Sequence, residues 1–387
     1  MSMRASADSI AGACAQCLRR SWLLGELSAV LDCNSRSDGR LYALLALDDA
    51  ELIAALGGRR REHLRRAHAE LGARELASTE GTTAICRHDP RYPAGLMHPV
   101  APALLHVAGG RARLHALTGR PVVAFPAASR ASDYGLELAY GLGRGLAASG
   151  VTIEGGRGPL AQAALAGALA AEGATLLVVG DGLGVGGAMS RRRARERLEH
   201  RGCTLAELPG RVRGRRWGEN AAERIVVSLA DVAIVVEAEE TPRALAAPRL
   251  ARELGKPLGA CPGRVTSRAS SGSHALLREG ALLIRDASDV LEMLHATHPA
   301  ARAAAGEHSD RAAEEAERVL RGLSPRLRLV LEQVGAGVDT PGKLAAGSTE
   351  AGEVLRALGE LELIGLLRRG DGGRYLLSEA QRCPDLR

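Results

Sequence analysis

Aromatic residues and lysine are both scarce in this sequence. Phe, Trp and Tyr make up 2% of the 387 residues, with one Phe and two Trp, so the core has to be built from aliphatic side chains. Lys256 and Lys343 are the only lysines, and the other basic residues are arginines, whose planar guanidinium pairs bidentately with phosphate. A genome-wide preference for arginine codons explains the same excess, so arginine content alone does not establish phosphate binding.

Long apolar runs are also missing. No run of about 20 uncharged apolar residues occurs, which excludes a transmembrane helix on sequence grounds, and no apolar secretory-signal segment follows the first basic residue. We therefore expect a cytoplasmic protein without membrane contact. The 46% apolar and 25% charged content excludes wholesale disorder. Seven scattered cysteines are unlike a disulfide framework, and we expect reduced thiols.

Changes of pattern divide the chain into predicted domains. Residues 1–80 carry apolar residues at helical spacing, which indicates a helical module of the SAM or helix-hairpin-helix type. The arginines that follow Gly57-Gly58 in it suit either a nucleic-acid-binding hairpin remnant or a solvated helix face. Residues 298–322 lack an apolar stripe and are a predicted linker. Residues 323–387 combine three helical stretches with a glycine-tipped hairpin, the order of a winged helix-turn-helix.

The central region, residues 81–297, alternates short aliphatic runs such as Val122–Phe125 and Thr175–Val179 with helical stretches. Near-continuous apolar strands separated by helices of about 10–15 residues are typical of a parallel sheet covered on both faces. The sequence therefore predicts an α/β fold: a Rossmann-like doubly wound parallel sheet with an N-terminal helical module and a C-terminal winged helix.

Two loops that follow predicted strands are candidate phosphate-binding sites, because ligands of open parallel sheets bind at the carboxyl ends of the strands, beside helix N-termini. The first loop holds Ser129, Arg130 and Ser132, and Ser132 is placed to cap the next helix. The second is Gly155-Gly156-Arg157-Gly158, whose glycines admit a phosphate close to the backbone while the arginine holds it. Glycines in such a loop also serve tight turns.

A third candidate is electrostatic. Residues 191–224 contain eleven arginines and five glutamates, an excess equal to the net charge of +6 of the whole protein. Concentrated arginine predicts a polyanionic ligand, and Trp217 is a candidate to stack on a base; a solvated helix with a flexible loop is the alternative. The arginines predicted to bind nucleic acid, including those of the wing, are Arg191, Arg192, Arg193, Arg215, Arg216, Arg224, Arg368, Arg369 and Arg374.

Signals for catalysis or for a metal are weak. Cys14 and Cys17 form a lone C-x-x-C with no second pair at zinc-site spacing, and the helix dipole explains His295 at a helix end. Glu154 and Asp181 are the few carboxylates in the strand-end loops, so acid–base chemistry would rest on unpaired groups. We predict no catalytic residue, no metal and no cofactor.

Three segments together resemble the DprA/Smf (DNA-processing protein A) family. The segments are residues 91–96 (RYPAGL) with 101–109 (APALLHVAG), the ordered motifs at 132–135, 167–169, 235–238, 262–263 and 280–281, and residues 361–365 with 372–375 in the tail. The resemblance implies a protein that binds single-stranded DNA without sequence preference, forms a homodimer and delivers the strand to the RecA recombinase. These activities serve DNA recombination in natural transformation, during competence.

Several positions depart from the family's DNA-contacting motifs. The family's first phosphate-binding loop, G-S-R, falls on Ala127, Ala128 and Ser129. In its second loop Gly158, Ala161 and Leu165 replace the expected arginine, aspartate and histidine, although Arg157 is adjacent. Arg130 stands one place after the expected arginine, and a later arginine-rich stretch retains only Arg224. Either neighbouring arginines replace the lost contacts, or this is a paralogue that has lost DNA binding.

The leading hypothesis is a non-enzymatic single-stranded DNA-binding protein that protects incoming strands and helps load RecA. Its winged helix either contacts duplex DNA or mediates protein association. The alternative is a nucleotide-binding sensor or phosphoribohydrolase of the LOG type, because residues 155–158 also look like the first glycine loop of that family. The second glycine-rich motif of LOG-type enzymes is not found in the sequence.

Overall fold

The structure is a computed structural model that describes residues 13–34, 38–71, 82–98, 101–126, 130–156, 158–185, 198, 200–297, 321–336, 338–345, 351–369 and 373–377. The chain divides into two compact units, Met1–Arg302 and Ala303–Arg387. Within the described ranges, no helix combines the length and apolar character that crossing a bilayer requires. Most of the predicted linker, residues 298–320, lies outside those ranges.

Nine strands of the first unit form one sheet. They are β1 Thr83–Cys86, β2 Leu104–Ala108, β3 Val122–Phe125, β4 Thr152–Gly155, β5 Thr175–Val179, β6 Gly202–Ala206, β7 Val232–Val235, β8 Leu258–Ala260 and β9 Leu282–Leu283. The order is β1-β2-β6-β5-β4-β3-β7-β8-β9. The seven strands from β6 to β9 are parallel, and β1 and β2 add an antiparallel edge.

The chain winds outwards from β3 in two directions. It first adds β4, β5 and β6 on one side, and then returns to add β7, β8 and β9 on the other. The topological switch point therefore lies between β3 and β7, which is where ligands of doubly wound sheets bind. The predicted Rossmann-like parallel sheet is confirmed.

Helices cover both faces of this sheet. They are α5 Arg111–Thr118, α6 Asp133–Ala148, α7 Pro159–Ala170, α8 Arg215–Leu229, α9 Ala246–Glu253, α10 Ser271–Arg278 and α11 Ala287–Thr297. Successive side chains of a strand point to opposite faces of the sheet. Val123 and Phe125 therefore pack with α6 and α7, whereas Ala124 packs with α8 on the other face. A Cβ on Gly143 of α6 would lie 2.0 Å from the Ala164 carbonyl oxygen of α7, so only glycine allows these helices to pack this closely.

The four N-terminal helices, α1 Ala15–Asn34, α2 Asp38–Ala46, α3 Asp49–Leu56 and α4 Arg61–Glu70, share a core with α8. Leu23, Leu27 and Leu31 of α1 pack in one cluster with Leu208 and Trp217. The Trp217 side chain is fully buried, and its indole N–H donates a hydrogen bond to the Ser28 hydroxyl (3.0 Å). Stacking of Trp217 on a base is therefore ruled out in this fold, and the residue joins the helical module to the sheet.

The second unit contains the predicted tail elements: α12 Pro325–Gly335, α13 Pro341–Ala345, α14 Ala351–Leu363, β10 Leu367–Arg369 and β11 Tyr375–Leu377. Pro325 occupies the first turn of α12, and the Ser324 hydroxyl accepts the Leu327 N–H (3.4 Å) as its cap. Leu331, Leu358 and neighbouring side chains form its own core. Three helices followed by an antiparallel hairpin match the order expected of a winged helix, and that assignment stays a prediction.

Candidate nucleic-acid interface

The carboxyl ends of the parallel strands form one edge of the sheet, here called the strand-end edge. From β6 to β8 it crosses five intervals between strands, about 24 Å at ~4.8 Å each. Helices α6, α7 and α8 begin on it, after β3, β4 and β6 respectively. The edge is therefore long enough for a polymeric ligand, and each helix start is a possible anion site.

The start of α6 is occupied by a carboxylate of the protein. Ser132 is its N-cap and accepts the Gly135 N–H (3.1 Å). Its own N–H and hydroxyl donate to the two oxygens of Glu237, at 2.8 and 2.6 Å. Glu237, which follows β7 at the switch point, is 4% exposed. Because these donors are engaged internally, the predicted phosphate contact of Ser132 is not available in this structure.

The start of α8 is occupied in the same way. Asp32 of α1 accepts the backbone N–H groups of Arg216 (2.9 Å) and Trp217 (3.3 Å), and Asp181 accepts that of Gly214 (2.8 Å). The side chains of Arg215 and Arg216 remain exposed. This end of the edge offers guanidinium groups to a ligand, while its backbone donors are already paired.

The start of α7 differs from both. Its N-cap is Gly158, which has no side chain to cap the helix, and Pro159 stands in the first turn. A Cβ on Gly155 would lie 2.8 Å from the Ala161 Cβ, and one on Gly156 would lie 2.8 Å from a Glu223 oxygen. Glycine at these two positions therefore allows the end of β4 to lie close to α7 and to Glu223. A helix start with a glycine N-cap is a possible site for an external anion.

Arg224 has a different role from the one predicted. Its side chain is 1% exposed and pairs with Glu207 at 2.7 Å, and it also donates to the Ala221 carbonyl oxygen (3.0 Å). A guanidinium held in this way cannot reach a DNA strand. We therefore correct the prediction: Arg224 belongs to a buried ion pair that links α8 to the end of β6.

The carboxylate of Glu154 is also enclosed. The residue is 0% exposed, and neither oxygen has a hydrogen-bond partner among the described residues. Burial raises the pKa of Glu154 well above its ordinary value, although Lys256 acts against this. Glu154 thus lies inside the sheet, out of contact with a ligand.

Two exposed arginines beside the switch point were missed by the sequence analysis. The Tyr134 hydroxyl donates to the Pro262 carbonyl oxygen (3.0 Å), which brings the start of α6 next to the loop after β8. Arg264 and Arg268 on that loop are exposed, and Arg268 lies 3.6 Å from Glu239. The signal was a short apolar stretch, Leu258–Ala260, followed by Pro262-Gly263 and then arginine.

The remaining predicted residues fall into three groups. Arg130 is exposed beside the switch point. On the tail, Arg369 pairs with Glu362 (3.0 Å) and lies 5.6 Å from the centre of the Tyr375 ring, and Arg374 pairs with Asp339 (3.5 Å). Predicted residues that lie outside the described ranges, or whose side chains do, are Ser129, Arg157, Arg191, Arg192, Arg193 and Arg368.

The site thus combines the glycine-rich start of α7 with exposed arginines on both sides of it along one sheet edge. Arg130 and Arg264 stand near the switch point, and Arg215 and Arg216 stand at the far end. Together with the fold, this arrangement defines a Rossmann-like protein whose strand-end edge suits a phosphate-bearing ligand.

A comparison with protein families gives the next step. The model of the family "DNA recombination-mediator protein A" matches residues 83–295, more than half of the chain, and the chain belongs to this family.

Individual relatives agree with this assignment. The DNA processing protein DprA of Mycobacterium tuberculosis is 31% identical over 337 residues, which cover 84% of this chain and 79% of the relative. Protein Smf of Escherichia coli is 34% identical over 154 residues, 38% of this chain and 40% of the relative. The X-ray structure of DprA from Streptococcus pneumoniae superposes with a TM-score of 0.57 at 24% identity, covering 73% of this chain and 98% of that one, which supports the fold.

Proposed function

We propose that this chain is a DNA-processing protein without catalytic activity, which binds single-stranded DNA along the strand-end edge through the phosphates of its backbone. The observation that carries the proposal is the position of Arg130, which is exposed at the switch point, one strand away from the glycine-rich start of α7. Arg264 is exposed on the loop after β8, which the Tyr134–Pro262 hydrogen bond places next to the start of α6. Because the chain belongs to a family of DNA recombination mediators, we propose DNA as the polyanionic ligand.

Phosphate contacts, rather than base stacking, supply most of the affinity in this proposal. Tyr134, 52% exposed, is the aromatic residue placed at the switch point, whereas Trp217 is buried. Stacking on one ring contributes about 1–3 kcal/mol, while each phosphate contact adds affinity that falls with salt. Binding should therefore be insensitive to sequence and strongly dependent on ionic strength.

Three carboxylates of the edge support the absence of catalysis; a fourth, Glu223, has an oxygen 2.8 Å from the position of a Cβ on Gly156. Glu237 accepts hydrogen bonds from Ser132, Asp181 accepts one from Gly214, and Glu154 is buried. A general acid or base must reach its substrate through a hydrogen bond, and these three groups are engaged or enclosed. This arrangement disfavours the phosphoribohydrolase alternative.

For the second unit we propose a protein-contacting role. Helix α14, at the position of a recognition helix, carries Glu353, Glu360 and Glu362 but a single arginine, Arg356. Such a helix would be repelled by DNA phosphates. Apolar side chains are exposed on or next to it, namely Leu355 (54%), Leu363 (89%) and Ile364 (51%), which suits a protein partner. The RecA recombinase and a second copy of the chain are the partners that the family resemblance implies.

The test is a titration of fluorescent oligo-dT at several salt concentrations. The double variant Arg130→Glu/Arg264→Glu should bind roughly tenfold or more weakly, and its slope of log K against log salt should be shallower by about 1.4, for two lost single-strand phosphate contacts. The matched control is Arg120→Glu/Arg278→Glu, which changes the same charge at exposed positions before β3 and β9, at the opposite edge.

Equal weakening by both double variants would contradict the proposal, because it would show an effect of net charge alone. A mononucleotide that competes as effectively as oligo-dT would instead support the nucleotide-sensor alternative.

A further inference from the structure

Four side chains that the DNA-binding proposal does not use lie together at the antiparallel edge of the sheet. Cys14 and Cys17 belong to the start of α1, and Cys86 and His88 to the end of β1. One sulfur or ring-nitrogen atom from each of the four lies within 4.8 Å of the others. We call this group the Cys3His cluster. The sequence analysis missed it because the second pair is Cys-x-His rather than C-x-x-C, and stands 69 residues after Cys17.

Regular structure fixes the positions of all four residues. The Cys14 carbonyl accepts the Leu18 N–H (3.1 Å), so Cys14 directly precedes α1, and Cys17 stands in its first turn. Cys86 ends β1, and the turn that carries His88 is closed by the Asp89 N–H, which donates to the Cys86 carbonyl oxygen (2.9 Å). Cys17 and Cys86 are buried and His88 is exposed. The site is therefore built on a helix start and a strand end.

The distances fit four ligands of one tetrahedral ion. The Nδ1 atom of His88 lies 3.4 Å from the Cys14 sulfur, 3.5 Å from that of Cys17 and 3.9 Å from that of Cys86. Zinc bonds of about 2.3 Å to sulfur and 2.0–2.1 Å to nitrogen place these atoms about 3.6 Å apart at the tetrahedral angle.

Hydrogen bonding alone does not account for this arrangement. A ring nitrogen has either one proton or one lone pair, so a hydrogen bond to His88 Nδ1 explains one of the three sulfur neighbours but not all of them. A common central ion accounts for all three at once.

We propose that the Cys3His cluster binds one zinc ion in a closed structural site. Three thiolates and one imidazole fill all four tetrahedral positions, so the ion has no open position for catalysis. The Cys86 sulfur accepts the Cys14 N–H (3.4 Å), an outer contact of the kind that orients metal ligands. This proposal replaces the expectation of no metal that the sequence analysis gave.

The role of the ion is to join the helical module to the sheet. Cys14 and Cys17 hold the start of α1, whereas Cys86 and His88 hold the outermost strand, and around them Leu18 packs against Leu104 in a small apolar cluster. A cavity of about 600 Å³ borders the cluster and is lined by Cys17 and His88 among others. The ion thereby supplements a modest aliphatic contact at the edge of the sheet.

The test measures the metal content of the full chain, purified with a non-thiol reductant and without chelator. The wild type should retain about one zinc per chain, and replacement by Co²⁺ should give the intense visible absorption of a tetrahedral cobalt thiolate. Cys17→Ser and His88→Ala should lose most of the metal, whereas His88→Cys should retain it, with stronger sulfur-to-cobalt charge transfer. The matched control is Cys33→Ser, since Cys33 is an exposed free cysteine of α1, and it should bind zinc normally.

If Cys17→Ser does not fold, its metal content cannot be interpreted, and His88→Ala then provides the test. His88 is exposed, so its replacement by alanine removes a ligand and leaves the core intact. The proposal is overturned by a wild type that retains no zinc after purification from zinc-supplemented cells. It is equally overturned by His88→Ala and Cys17→Ser retaining as much zinc as Cys33→Ser.

Discussion

The buried pair of Arg224 and Glu207 offers a quantitative test of the distinction between core and interface arginines. The guanidinium is 1% and the carboxylate 9% exposed, and a single hydrogen bond of 2.7 Å joins them. Arg224 Nε and the second Glu207 oxygen have no partner among the described residues. The pair is therefore incompletely satisfied, and each partner mainly compensates the charge of the other.

The two single substitutions and their combination should have very different costs. Glu207→Leu leaves a buried guanidinium uncompensated, which should lower the free energy of unfolding by about 3–5 kcal/mol. Arg224→Met should also destabilise, since it leaves Glu207 alone. The double variant Glu207→Leu/Arg224→Met removes both charges and should lie close to the wild type, because apolar replacements of buried pairs are often neutral or stabilising.

Urea unfolding followed by tryptophan fluorescence measures these values. Trp22 and Trp217 are the only tryptophans, and both lie in the unit Met1–Arg302, so the signal reports that unit even if the second unit unfolds separately. The reasoning would be refuted if the loss of unfolding free energy in the double variant equalled the sum of the losses in the two single variants. So would an Arg224→Met protein that folds as the wild type does but binds oligo-dT much more weakly.

Two further predictions concern pH and helix packing. Burial lowers the pKa of His106 to about 4, below its value of ~6.5 in the unfolded chain. The contribution of His106 to stability should thus be fully present above about pH 6.5 and fall by about 1.4 kcal/mol per pH unit as the pH decreases towards 4. Urea midpoints measured across this pH range should show the loss, and His106→Gln should make the pH profile flatter. Gly143→Ala should cost about 1–3 kcal/mol, because its Cβ would lie 2.0 Å from the Ala164 carbonyl oxygen. Its control, Gly352→Ala, stands in open space and should be neutral or slightly stabilising by thermal unfolding; equal losses in both variants would contradict the packing argument.

The central sheet was predictable because its strands are continuous aliphatic runs. Val122–Phe125 and Thr175–Val179 are buried along their whole length, so the pattern needs no tertiary information. Four strands were not identified: β1, β2 and β6 contain polar residues, and β8 has only three residues. A strand of that length carries too little periodicity to be separated from a loop.

The site was less predictable, because long-range contacts decide what each side chain does. Arg224 is buried by an ion pair with Glu207, and Ser132 is engaged by Glu237, 105 residues away. Trp217 is covered by α1, which comes from the other end of the unit. Residue type and spacing placed these side chains near the strand-end edge but could not show which of them face solvent.

The most direct test of the account is hydrogen–deuterium exchange of the full chain with and without oligo-dT. We expect slower exchange at the switch point, in residues 130–136 and 262–268, and at the start of α7, while α5 and the amino ends of the strands stay unchanged. Protection confined to residues 339–377, or spread evenly over the first unit, would contradict the claim that the strand-end edge holds the DNA.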